Sequence, residues 1–213
     1  MPRPKPVVIV RCVIVLCGGT SRRLGGGDKT RESLSGKTVL DHLLDDLPSG
    51  WPVVCVGEMR ATTRSVQWCR ESPAGGGPVA GIAAGLELIR DVGAATDPDA
   101  NPDIAMPGNA ICVVVGGDMP FAAAALPTLV DALNAQPRLD AVLASDPDGH
   151  RQPLLAAYRF EALRTALPRE SGGARLMAVV DALVVGTVPC DSHTVLDVDT
   201  PEALEHARHI VGT

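Results

Sequence analysis

Aromatic side chains are scarce in this chain: two Trp, one Tyr and two Phe among 213 residues. A core must therefore be assembled from Val, Leu, Ile and Ala, and the shortage argues against a base-stacking platform for single-stranded nucleic acid. Positive charge is not in surplus either. The net charge of −6 disfavours binding a nucleic acid polymer over a broad face, but leaves room for a small basic pocket around one anionic ligand. None of the cysteines, Cys12, Cys17, Cys55, Cys69, Cys112 and Cys190, forms a CxxC pair, and most sit in apolar runs. They read as reduced core residues of a cytoplasmic protein; zinc ligands would have to converge from distant segments. No apolar run is long enough for a membrane. The opening MPRPKPVVIVRCVIV is interrupted by Arg11, and Gly18-Gly19 follows too soon for a span or a good export signal. Residues 1–6 are expected to form a flexible tail. No internal repeat is visible.

What is present is a chain of one-domain length, 46% apolar, expected to fold as a single unit over residues 7–213. Short wholly apolar runs recur: VIVLC at 13–17, VVCV at 53–56, ICVVV at 111–115, AVLA at 141–144 and ALVVGTV at 182–188. Strands apolar on both faces belong to a parallel sheet covered by helices. Helical periodicity appears between them. Leu40, Leu43, Leu44 and Leu47 share a face behind Thr38, a good N-cap. Val79, Ile82, Ala83, Leu86 and Ile89 repeat the pattern, as do Leu126, Leu129, Val130 and Leu133. A last helix is announced by Thr200 as N-cap, Pro201 in the first turn and Glu202 at the positive end of the dipole. The alternation of strand and helix predicts a three-layer α/β/α nucleotide-binding, Rossmann-like domain with a mainly parallel sheet. Residues 91–109, rich in Pro, Gly, Ala, Asp and Asn, are expected to be a mobile surface loop.

LCGGTSRRLGGGDKT at 16–30 follows the first strand and holds five glycines, two arginines and a lysine. It is not a Walker A loop, because SGKT at 35–38 would need glycine at position 31, which is Arg31. It is not the dinucleotide GxGxxG either, because Gly25 and Gly27 meet Thr30 where the third glycine belongs. Glycines nonetheless let the backbone approach a ligand and aim several N–H groups at it, and arginine and lysine supply charge for phosphates. A loop after a strand lies at the carboxyl end of the sheet, where open α/β sheets bind ligands. Asp118, in GGDMP, also follows a strand. A carboxylate there suits Mg²⁺ or stabilises the turn before Met119-Pro120. Asp197 and Asp199 flank Val198; strand-like alternation would put both carboxylates on one side, as a second metal ligand or as a cap for the last helix.

Residues 16–29 resemble the LAGGxSxRMGxDK motif of the MobA-like molybdopterin nucleotidyltransferases, with Cys17 in the usual Ala place and Leu24 in the usual Met place. GKTVLDHLL at 36–44 is similar to the family's GxPLLEHVL, and GGGPVAGIAAGL at 75–86 to its GPLAGIxAGL. VVGGDMPF at 114–121 resembles its xxCDMPFL, with Gly117 in the usual Cys place. RQPLLAAYR at 151–159 and LDVDTPEAL at 196–204 resemble its QPLxAxYxR and DIDTPEDL segments. The glycine loop alone would equally suit sugar-phosphate nucleotidyltransferases.

The resemblance implies a nucleotidyltransferase-type fold and an Mg²⁺-dependent reaction joining GTP and molybdopterin with release of pyrophosphate. It implies that the backbone of Leu16, Cys17, Gly18 and Gly19 wraps base and phosphate. Arg23 and Lys29 would face the triphosphate, with Lys29 stabilising charge at the α-phosphate. Asp118 would bind metal, with Asp199 the candidate second ligand, and Gly77 and Pro78 would border the base. Arg151, Gln152 and Pro153 are candidates for the acceptor pocket. The family's base-reading acid precedes GPLAG, and both Glu71 and Ser72 fall near that place. Transient contacts with molybdoenzymes are implied as well. A CTP-using or other small-molecule transferase of this fold, and a regulatory protein that binds nucleotide without turnover, are the alternatives.

Overall fold

The computed structural model describes residues 11–18, 27–95 and 109–212, with the side chains of 91–95 left aside. The expected tail at 1–6 lies outside these residues, as do Gly19 and Arg23 of the glycine-rich loop.

The strands are β1 (Arg11–Leu16), β2 (Ser33–Leu34), β3 (Lys37–Thr38), β4 (Val53–Val56), β5 (Gln67–Cys69), β6 (Ile111–Gly116), β7 (Ala141–Ser145), β8 (Arg151–Arg159) and β9 (Val185–Pro189). Seven build one sheet in the order β5-β4-β1-β6-β8-β7-β9, and β2 and β3 form a small antiparallel hairpin. β8 alone runs against its neighbours: β6·β8 and β7·β8 are antiparallel, and the other pairs of the sheet are parallel. The mainly parallel sheet thus stands, with two strands that the apolar runs do not announce, the edge strand β5 and the inserted antiparallel β8.

The helices are α1 (Val39–Asp46), α2 (Pro78–Ala95), α3 (Leu126–Ala135), α4 (Phe160–Ala166), α5 (Leu176–Asp181) and α6 (Pro201–Val211). Side-chain caps start two of them. The Asp41 N–H donates to Thr38 Oγ1 at 3.0 Å, and the Ala203 N–H donates to Thr200 Oγ1 at 3.1 Å. Alternation along β1 supplies both faces of the sheet. Val13 and Val15 pack with Leu40, Leu43 and Leu44 of α1 and Leu126, Leu129 and Leu133 of α3. Cys12, Ile14 and Leu16 pack with α2, α4 and α5 through residues such as Ile82, Phe160 and Val180. Each such fully buried aliphatic side chain contributes roughly 1.5–3 kcal/mol of transfer free energy. α2 lies especially close to the sheet. A Cβ on Gly85 would come within 2.9–3.0 Å of three Ile14 carbons, so only glycine fits that crossing. The hairpin and α6 share a third small cluster around Leu34, Val39, Val198, Leu204 and Ala207.

Two expectations need adjustment. α2 runs on through residues 91–95, which complete an 18-residue helix of about five turns, and Ala94 and Ala95 favour that extension. The loop predicted over 91–109 is therefore not one at 91–95, and residues 96–108 lie outside the described residues. The run at 182–188 is a strand only from Val185, and that strand is a half-exposed sheet edge rather than a doubly covered one.

The chain moves from β1 outward through β4 and β5 on one side, then returns to place β6 on the other. The order therefore switches between β1 and β6, and the crevice beyond their carboxyl ends is where such sheets take ligands.

Candidate active site

Three strand ends converge there. β1 runs into Cys17 and Gly18, β4 into Gly57, and β6 into Gly117 and Asp118. The Cys17 N–H donates to the Val56 carbonyl at 2.8 Å, and the Gly117 N–H donates to the Leu16 carbonyl at 2.9 Å, so the strand ends stay stitched beyond the sheet. Gly117 is tightly enclosed: a Cβ would lie 3.1 Å from the Leu16 carbonyl oxygen and 3.2 Å from Cys17 Sγ. Cys17 is buried, and its thiol is pushed well above its ordinary pKa by hydrogen bonding with the Cys55 thiol and by burial. It therefore stays protonated and acts as packing volume.

Beyond these ends opens a cavity of about 480 Å³, a size suited to a small-molecule ligand. Leu16, Gly18, Val56 and Gly116 form its sheet side; Gly75, Gly77, Pro78 and Gly81 form the turn and first turn of α2; Glu71, Asp118 and Leu154 complete it. Of the sequence candidates, Leu16, Gly18, Glu71, Gly77, Pro78 and Asp118 meet here. Ser72 does not. It lines a separate groove between α2 and the segment after α4. Glu71 Oε1 accepts the Gly75 N–H at 3.1 Å and would stand 3.9 Å from a Cβ on Gly18, which puts the carboxylate beside the end of β1 at the cavity wall.

Lys29 reaches the same place from a single 3₁₀ turn, Lys29–Arg31. Its Nζ contacts Asp118 Oδ2 directly and lies 3.2 Å from Asp197 Oδ1. Lys29 and Asp118 are mostly buried, and Asp197 is half exposed. Burial alone would pull the Lys29 ammonium down, but the two carboxylates outweigh it and hold its pKa above the ordinary lysine value. One ammonium cannot satisfy two acids. Burial raises the Asp197 carboxyl, the Asp118 charge raises it further against the pull of Lys29, and it titrates at about 7.

Asp197, rather than Asp199, is thus the acid tied to Lys29 and Asp118. The Asp199 N–H bonds back to the Asp197 carbonyl at 3.1 Å, a tight turn that cancels the strand-like alternation expected for this pair. The acceptor candidates turn elsewhere. Arg151 pairs with Asp181 at 3.3 Å, Gln152 Nε2 donates to Asp146 Oδ2 at 3.3 Å, and the Pro153 carbonyl accepts the Tyr158 hydroxyl at 2.8 Å. Only the next residue, Leu154, lines the cavity. Lys37 is paired with Asp45 at 2.6 Å on an exposed surface. Among the described residues no helix is long and apolar enough to cross a membrane.

The Asp197 titration makes a testable statement about the ligand-free protein. Its carboxyl binds its proton more tightly when folded than when unfolded, so the folded state carries a cost that grows as pH rises from about 4 and is complete above about 7. Asp197→Asn is expected to stabilise the chelator-treated protein at pH 8. The gain should be about 1 kcal/mol, after discounting for solvent screening of a half-exposed group. Thermal denaturation at pH 8 and pH 4 checks this; an equal shift at both would contradict it.

Comparison with known proteins gives the family. Residues 13–187 match the family described as the MobA-like NTP transferase domain. The chain belongs to the MobA-like NTP transferase family. A molybdenum cofactor guanylyltransferase of Bradyrhizobium sp. is 30% identical over 169 residues, covering 74% of this chain and 71% of that protein. A probable molybdenum cofactor guanylyltransferase of Opitutus terrae is 32% identical over 167 residues, covering 76% of this chain and 73% of that protein. Among solved structures, molybdopterin-guanine dinucleotide biosynthesis protein A of Archaeoglobus fulgidus superposes over 94% of this chain and 98% of its own, with a TM-score of 0.67 at 24% identity. The 2-C-methyl-D-erythritol 4-phosphate cytidylyltransferase of Francisella tularensis does so over 93% and 98%, with a TM-score of 0.69 at 14% identity. At these identities the structural likenesses establish the nucleotidyltransferase fold. In this MobA-like chain, Lys29 and Asp118 stand where the family motifs lead one to look, and Asp197 joins them through tertiary structure.

Proposed function

We propose that this chain transfers GMP from GTP to molybdopterin and releases pyrophosphate. The observation that carries the reading is the contact of Lys29 with Asp118 and Asp197, because Asp118 lines the same crevice as Glu71. An oxygen of the acceptor's phosphate monoester bonds to the α-phosphorus of GTP; the bond from that phosphorus to the β-bridging oxygen breaks, and pyrophosphate leaves with the electron pair. Lys29 places positive charge where the α-phosphate oxygens become more negative, and positioning with electrostatics supplies most of the rate. Arg23 and the backbone of Gly18 and Gly19 complete the phosphate cradle in this reading, whereas the Cys17 N–H is already given to the Val56 carbonyl. In this reading the acceptor enters on the side of Leu154, the residue of this segment that lines the cavity.

Two carboxylates against one ammonium leave an excess negative charge with oxygen donors, a set that suits a divalent ion and Mg²⁺ in particular. Asp118 and Asp197 would hold it, and when bound it supplies Lewis-acid charge to the phosphates.

Glu71 selects the base. A carboxylate accepts from the N1–H and amino group of guanine, whereas the corresponding ring nitrogen of cytosine presents a lone pair and is repelled. Incubation with molybdopterin, Mg²⁺ and each NTP in turn is expected to release pyrophosphate with GTP. Release with CTP alone would replace guanine with cytosine as the base, and nucleotide binding without release would make the chain a regulator. Glu71→Gln is expected to lower kcat/KM for GTP roughly 10- to 100-fold, the value of a hydrogen bond to a charged group. An unchanged GTP:CTP ratio would remove Glu71 from base selection.

A further inference from the structure

The turn that carries Lys29 is one 3₁₀ turn long, too short to hold its shape unaided. Its stability comes from Asp28, whose two oxygens are fully engaged. Oδ1 accepts the Thr30 N–H at 3.0 Å and the Thr30 hydroxyl at 2.6 Å. Oδ2 accepts Arg31 Nε at 3.2 Å and Arg60 Nη1 at 2.9 Å. Arg60 also donates to Thr30 Oγ1 from its other terminal nitrogen. Its side chain is only 10% exposed, against 46% for Arg31, so Arg60 is the buried cation of the group. The guanidinium lies 5.4 Å from the Trp68 ring centroid, over the indole of β5. Thr30 itself is 3% exposed.

We propose that Arg60 is a positioning residue for Lys29: its planar fork clamps Asp28 and Thr30 on either side of the lysine, while Trp68 anchors the fork to the sheet. The inference rests on the role given to Lys29 above, and extends it to residues that touch neither nucleotide nor metal. A buried charge is retained only where it is paired and hydrogen-bonded, and here both partners flank one residue. The fork also explains the residue type. A lysine at this position would offer one point charge, unable to reach Asp28 and Thr30 in fixed geometry while lying flat on an indole. Displacing the Lys29 ammonium by even 1 Å from its place is enough to cost turnover.

Arg64 provides an internal comparison. It is a half-buried strap, donating to the carbonyls of Leu47, Pro48 and Trp51 at 2.8, 3.1 and 2.9 Å, and none of these bonds reaches the Lys29 turn. Arg60→Met and Arg64→Met should therefore lower Tm comparably. Only Arg60→Met should lower kcat for GTP-dependent pyrophosphate release, by about 10- to 100-fold, with the KM for GTP changed less than threefold. Arg60→Lys should keep most of the Tm and recover only part of kcat. A kcat within twofold of the unmodified protein in Arg60→Met would overturn the proposal; if that variant fails to fold, an unchanged kcat in Arg60→Lys would do so. Should the unmodified protein turn over no NTP, the function proposed above fails while this inference remains measurable. Crystal structures of the unmodified protein and Arg60→Met would then show the Lys29–Asp118 contact kept in the first and lost in the second. Its persistence in the variant would count against Arg60.

Discussion

Lys29→Ala is expected to reduce turnover by about 10²–10³-fold, the range found when one preorganised donor to a developing oxyanion is removed. The lysine is mostly buried, and its ammonium is held charged by two acids, so its full positive charge is available at any ordinary assay pH. Removing it also leaves Asp118 and Asp197 facing each other without compensation. Lys37→Ala provides the contrast. That lysine is half exposed on the β2–β3 hairpin and paired with Asp45, and its loss should change turnover less than twofold. Pyrophosphate release at saturating GTP and Mg²⁺ measures both. Equal losses would show that the effect of Lys29 is a general one on charge, not one on the α-phosphate.

Asp118→Asn is the second large effect. The amide keeps the shape of the side chain and removes its charge, so the fold around β6 should survive. Turnover should fall on the order of 100-fold, and the Mg²⁺ concentration needed for half-maximal activity should rise at least tenfold. The Asp118 carbonyl accepts the Val198 N–H at 2.9 Å, which ties the segment bearing Asp197 to the end of β6. That backbone link does not depend on the carboxylate, so the variant should retain the geometry of Asp197 and lose only the charge at 118. A Mg²⁺ titration with an unaltered midpoint would remove Asp118 from the metal site.

The parts of the fold legible in the sequence are those whose signal is local. β1, β4, β6 and β7 are apolar apart from Arg11 and Ser145 at the ends of β1 and β7, because helices cover both faces, and α1, α2, α3 and α6 carry clear caps or stripes. β8 escaped because it serves two environments. Its first half is polar and half exposed at the cavity rim, its second half is core, and a register shift beside Leu143/Ala144 breaks the pattern of its partner. α4 and α5 are too short to show helical periodicity. The site divides the same way. Lys29, Asp118 and the turn at Gly77-Pro78 are marked by strand ends and glycines. Choosing Glu71 over Ser72 required knowing which side of a turn faces the cavity. Arg60 lies in GEMR without motif or period, and its significance arises from Asp28, a contact made across 32 residues of sequence.

The close fit between positions 17 and 117 has a consequence for altering this protein. The motif that this chain resembles has alanine and cysteine at these places; here the sulfur hangs from the β1 side, and glycine at 117 makes way for it. Restoring cysteine at 117 alone would crowd two sulfurs into one space, and restoring alanine at 17 alone would leave a void. The two sites are therefore epistatic. Redesign that scores the two positions one at a time would reject both single changes, although Cys17→Ala and Gly117→Cys together should cost less than the sum of the two.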